Sequence, residues 1–75
     1  MQANIWQGKV KGILKGELKR RGLSYADLAE SLQAMGIVDN ERNLSNKIAR
    51  GTFTAVFWVQ CLQAIGCKTI HLEDE

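Results

Sequence analysis

The chain has 75 residues, no proline, 45% hydrophobic and 24% charged residues, and a formal net charge of +2. That is enough chain for one small globular domain over residues 1–75 and too little for a second core. It excludes a helical membrane span, because the longest apolar run, AVFWV, falls far below the roughly 20 residues that a bilayer requires. It also excludes a disulfide framework, because Cys61 and Cys67 are the only cysteines. The opening MQANIWQGKVKG lacks the apolar stretch of a secretory leader, so a soluble cytoplasmic protein is the expectation. Charge is unevenly spread. Glu73, Asp74 and Glu75 hold three of the eight acids, so ten cations face five acids over residues 1–72. Lys9, Lys11, Lys15, Lys19, Arg20 and Arg21 crowd the first segment, an asymmetry suited to an anionic partner.

The first helical segment is expected from about Gly8 to Arg21, with Val10, Ile13, Leu14 and Leu18 as its apolar stripe. Asn4 and Gln7 form a weak capping box, with Ile5 or Trp6 packing nearby. Gly8, Gly12 and Gly16 have the spacing of a membrane dimerisation motif, but interleaved lysines rule out that setting. They point instead to close backbone packing or to a late, frayed helix start. In SYADLAESLQAMG, Ser24 is the N-cap and Asp27 its capping-box partner. Leu23 is placed to staple onto Leu28. Leu28, Ala29 and Leu32 form the buried edge, which Met35 extends. GIVDN then reads as a turn with Ile37 and Val38 pointing inward. Asp39 or Asn40 caps the next helix, ERNLSNKIAR, whose thin apolar edge is Leu44 and Ile48. The last helix starts near Thr54, with Phe53 stapling onto Trp58. Trp58, Cys61, Leu62 and Ile65 form its core edge. Val56, Phe57 and Val59 add apolar surface on other faces. That excess needs a cover: Trp6, the tail CKTIHL, or a second copy of the chain. Thr69 to Leu72 reads as a short extended segment with Ile70 and Leu72 on one side. Gly22, Gly36, Gly51 and Gly66 each close a helical segment, as left-handed stops do. The expected fold is all-α: about four helices in one small bundle (core 8–67) with a short extended tail over 68–75.

The order of these elements resembles the lambda-repressor/Cro-like helix-turn-helix superfamily. ILKGELKRRGLSYADLAESL is similar to its first two helices, with the "GLS" turn and the central "LA". LSNKIARG resembles the end of its recognition helix. Phe53 to Cys67 resembles the helix that follows. The chain also resembles a small bacterial family of uncharacterised domains sharing an "ERNL-NK-ARGTF" string. Two departures stand out. The turn between the second and third helices is longer, with glycine at Gly36, seven positions after Ala29. Ala49 stands where the superfamily often places an acid.

The resemblance implies sequence-specific binding to double-stranded DNA by a bacterial transcriptional regulator acting as a homodimer. Arg42, Asn43, Asn46 and Lys47 have the chemistry for base edges: Arg and Lys for guanine, Asn for adenine. Ser24 and Tyr25 at the start of the second helix, with Arg50, Thr52, Arg20 and Arg21, are the candidate phosphate contacts. Val56, Phe57, Val59, Ile70 and Leu72 are the candidate dimer surface. The alternative is a protein-interaction or dimerisation module on the same fold without DNA binding, which the long turn, Ala49 and modest charge favour. Cys61, Cys67 and His71 match no structural zinc spacing, and no fourth ligand is evident. There is no nucleophile–base pair, phosphate loop or carboxylate pair. The chain is therefore not expected to be an enzyme, to hold a metal or cofactor, or to take a small-molecule substrate.

Overall fold

The computed structural model describes residues 2–72, with side chains from Ile5 onward. The acidic run at 73–75 lies outside the described residues. Four helices follow in order: α1 Gln2–Arg20, α2 Tyr25–Ala34, α3 Glu41–Arg50 and α4 Ala55–Ala64. Among the described residues there is no strand, so the fold is all-α.

Local chemistry fixes the three later helix starts. Ser24 caps α2: its hydroxyl accepts from the Asp27 backbone N–H, and Asp27 accepts from the Ser24 backbone N–H, a complete capping box. Asn40 caps α3 by accepting from the Asn43 N–H, and Thr54 caps α4 by accepting from the Phe57 N–H. Glycine ends all four helices: Gly22, Gly36, Gly51 and Gly66 have φ between 68° and 85°. At three of these ends the chain closes back in the same way. Leu23, Ile37 and Cys67 donate to the carbonyls of Leu18, Leu32 and Leu62, while the preceding glycine donates to the next carbonyl along. This paired closure satisfies carbonyls that a helix end leaves open, and it turns one partly buried side chain back onto the core.

Each helix contributes two side chains to the buried core: Leu14 and Leu18, Leu28 and Leu32, Leu44 and Ile48, Cys61 and Leu62. In α1, α2 and α3 the pair is four residues apart, one helical turn, so a narrow stripe suffices. α1 and α2 each pack across both α3 and α4.

α1 departs furthest from expectation. It has begun by Gln2, so Asn4 lies within the helix rather than capping it. Ile5 and Trp6 are exposed, and Trp6 therefore does not cover α4. Gly8, Gly12 and Gly16 lie inside the helix, and no atom stands within 4 Å of where a Cβ would sit on any of them. They mark neither a close approach nor a frayed start. The close approach is elsewhere: a Cβ on Gly51 would lie 3.1 Å from the Gln7 carbonyl oxygen. One turn further on, Lys11 Nζ donates to the Ala49 carbonyl at 2.9 Å. On the neighbouring flank, Trp58 Nε1 donates to the Val10 carbonyl at 3.1 Å. Residues 7 and 11 thus dock α1 on the end of α3, and residue 10 docks it on α4.

Smaller expectations are corrected as well. Val38 points outward at 86% exposure, leaving Ile37 alone to turn in. Met35 is the exposed C-cap of α2 and adds nothing to its buried edge. Phe53 meets Phe57, with ring centroids 5.4 Å apart, and both Phe53 and Trp58 pack on the core. In the tail, Ile70 packs on the core while Leu72 is exposed, so the two do not share one buried side.

Candidate nucleic-acid interface

α3 is anchored at three points. Leu44 and Ile48 are fully buried beneath it, and the Gly51 stop sits against Gln7. Its last turn is tied to α1 by the Lys11 ammonium, a cation at the negative end of the helix. That contact falls on the backbone of Ala49, so the tether of this helix end does not depend on the side chain there.

The buried pair fixes which way the other residues face. At about 100° per residue, positions 42, 46 and 50 emerge opposite Leu44 and Ile48. Asn43 and Ala49 lie on the shoulders of this stripe. Arg42, Asn43, Asn46, Ala49 and Arg50 are all exposed. The outermost line of α3 is therefore Arg42–Asn46–Arg50, one residue per turn over about 12 Å. Arg50 belongs to this line more directly than the sequence spacing alone suggested.

Lys47 does not. It lies beside the inward edge and runs back along the helix. Its ammonium is 2.9 Å from the Asp39 carboxylate and 4.9 Å from the centre of the Phe57 ring. Asp39 also accepts the Asn40 N–H at 2.9 Å. Burial pushes the Asp39 carboxyl up, but the Lys47 hydrogen bond and the Asn40 N–H outweigh it and hold the group below its ordinary value. Lys47 thus fastens the long turn before α3 onto the α3–α4 side of the core.

The other candidate cations are divided in the same way. Arg20 and Arg21 both reach the Glu17 carboxylate, Arg20 at 2.7 Å and Arg21 through the other oxygen. Glu17 is 8% exposed, and the Arg21 hydrogen bond, with Arg20, holds its carboxyl below the usual range against the opposing effect of burial. A carboxylate this buried is stable only when paired. At the start of α2, the Ser24 hydroxyl is occupied by Asp27, whose own carboxyl is held low by the Ser24 N–H. An acid therefore already sits at that positive helix end. Tyr25 is partly buried against the core, and burial raises its phenol. Thr52 is exposed just past the Gly51 stop. Of the expected contacts, the fold brings Arg42, Asn43, Asn46 and Arg50 together with Thr52 at one end. It holds Lys47, Arg20, Arg21, Ser24 and Tyr25 in internal contacts. The sequence did not single out Lys11, since a lysine reaching across 38 residues leaves no local signal.

Of the candidate dimer surface, Val56, Val59 and Leu72 are exposed, whereas Phe57 and Ile70 are partly buried against their own core. Among the described residues no group of three or more His, Cys, Asp or Glu is placed to hold a metal ion. No helix there is long and apolar enough to cross a membrane.

Comparison with known families matches residues 6–70 to a domain of unknown function, DUF6471. The chain belongs to the DUF6471 family. No curated protein and no solved structure matches it significantly. The DUF6471 match spans α1 from Trp6 to its end, all of α2 to α4 and the tail to Ile70, so it includes the α3 stripe and both acid-held cation groups.

Proposed function

We propose that this DUF6471 domain binds double-stranded DNA, with α2 and α3 as a helix-turn-helix and α3 as the recognition helix of a small bacterial transcriptional regulator. The observation that carries the reading is the exposed Arg42–Asn46–Arg50 line on a helix anchored from below by Leu44 and Ile48. Arginine pairs bidentately with guanine, asparagine with adenine, and a major groove about 12 Å wide admits a helix. Asn43 and Thr52 flank the line, one for base edges and one for phosphate. Lys11, beside the end of α3, adds positive charge at the same edge. A homodimer joined through exposed Val56, Val59 and Leu72 would place two such helices on paired half-sites, as modules this small require for affinity.

A second reading is favoured by a specific observation. Acids within the fold already hold Arg20, Arg21 and Lys47, and large apolar side chains stand exposed on α1 and α4. Those features suit a protein-interaction module on the same fold. Fluorescence anisotropy with a short mixed-sequence duplex, titrated with salt, separates the two. DNA binding requires log affinity to fall with log salt by about 0.9 for each phosphate neutralised. Arg42→Ala with Arg50→Ala should weaken binding and flatten that slope while leaving the circular dichroism spectrum intact. Absence of duplex binding at low salt sinks the DNA reading and favours the interaction module.

A further inference from the structure

Sequence spacing counts Lys47 among the cations of α3, but the fold gives its charge a partner of its own. The Asp39 carboxylate sits 2.9 Å from the ammonium, and its side chain is only 10% exposed. The carboxylate is held in place from the other side by the Asn40 N–H. The Lys47 side chain remains 47% exposed and lies over Phe57, so it is within reach of a ligand without being committed to one. A carboxylate and a phosphodiester are the same kind of partner to an ammonium: an anionic oxygen accepting a charge-assisted hydrogen bond. Resting on the DNA reading above, we propose that Asp39 is an intramolecular stand-in for phosphate that keeps Lys47 out of the interface and sets how tightly and how salt-dependently α3 holds DNA.

The consequence follows from counterion release. A lysine kept on a carboxylate neutralises no phosphate and so releases no cation condensed on the DNA, and a phosphate that captured it would leave Asp39 uncompensated in a largely buried position. Lys47 is therefore silent in the wild-type salt slope. Removing the Asp39 charge makes Lys47 an additional phosphate ligand on the flank of the Arg42–Asn46–Arg50 line. Asp39→Asn retains the size of the side chain and an oxygen for the Asn40 N–H, so the turn keeps its local hydrogen bond.

The test is a cycle of four proteins, each confirmed folded by circular dichroism at the assay temperature: wild type, D39N, K47Q and the double variant. Each is titrated by anisotropy with the same short duplex across a salt series. The expected result is a slope steeper by about 0.9 in D39N. It appears as roughly three- to fourfold more affinity lost between about 50 and about 200 mM salt. K47Q alone should leave the wild-type slope unchanged, and the double variant should return to it. An unchanged slope in D39N, or a slope flattened by K47Q in the wild-type background, overturns the inference while leaving the DNA reading standing. If D39N is unfolded, the K47Q arm decides alone. No duplex binding by wild type at low salt rejects the DNA reading and this inference with it.

Discussion

The same substitution, glycine to alanine, should move stability in opposite directions at two places in this fold. Gly12 and Gly16 lie in the interior of α1, and each would carry a Cβ into open space. The glycines with positive φ are Gly22, Gly36, Gly51 and Gly66, so neither Gly12 nor Gly16 needs a left-handed backbone. Alanine at such a site loses less conformational freedom on folding, a gain of about 1 kcal/mol per position. The two sites make no shared side-chain contact, so Gly12→Ala with Gly16→Ala should contribute about 2 kcal/mol in total. For a domain of this size that raises the melting temperature by roughly 4–8 °C per kcal/mol. Gly51→Ala should do the reverse. Its φ of 70° disfavours any Cβ, and that Cβ would lie 3.1 Å from the backbone oxygen of Gln7. The left-handed conformation alone costs about 1–2 kcal/mol for an L-residue, and backbone at the contact cannot swing aside. Thermal and urea unfolding followed by circular dichroism read all three. A loss of stability at Gly12 or Gly16 would refute their placement on an open face of α1, and a gain at Gly51 would refute the placement of α1 against the end of α3.

Further outcomes follow from contacts across the core. Trp58→Phe keeps an aromatic side chain but removes the hydrogen bond to the Val10 carbonyl and part of the ring that packs on the core; urea unfolding should show a loss of at least about 1 kcal/mol. Cys61 is fully buried, and burial pushes its thiol up to about 12. Cys67 is partly exposed, so mass spectrometry after brief alkylation near neutral pH should find Cys67 modified and Cys61 intact until the protein unfolds. Glu17 and Asp39 both have carboxyls held below their ordinary values by paired cations. Their contribution to stability is fully present above the unfolded-state values near 4.5 and 3.8 and is lost as pH falls through the lower folded values. Melting temperature should therefore drop on acidification below about pH 5, and Glu17→Gln should flatten that drop.

Much of the fold was legible because its signals are local. Ser24, Asn40 and Thr54 are capping residues directly ahead of apolar periodicity, and each caps the expected helix. The four glycine stops and the Leu44–Ile48 edge are equally short-range. What was missed depends on residues far apart in sequence. The three glycines of α1 masked its true extent, because their propensity cost is outweighed by docking through Gln7, Val10 and Lys11. Val38 reads as a core residue by type, yet the closure of α2 turns only Ile37 inward. The candidate interface divided along the same line. Arg42, Asn43, Asn46 and Arg50 follow from helical spacing against Leu44 and Ile48. Lys47, Arg20 and Arg21 carried the right charge, but spacing gave no sign that Asp39 and Glu17 would claim them.

The most direct test of the central claim is an amide and side-chain chemical-shift titration of the labelled protein with duplex DNA at low salt. The account predicts the largest changes at Arg42, Asn43, Asn46 and Arg50, with Lys11 and Thr52 at the border and Val56 and Val59 unmoved by the DNA itself. No change, or changes centred on the exposed side chains of α1 and α4 with α3 silent, would contradict it.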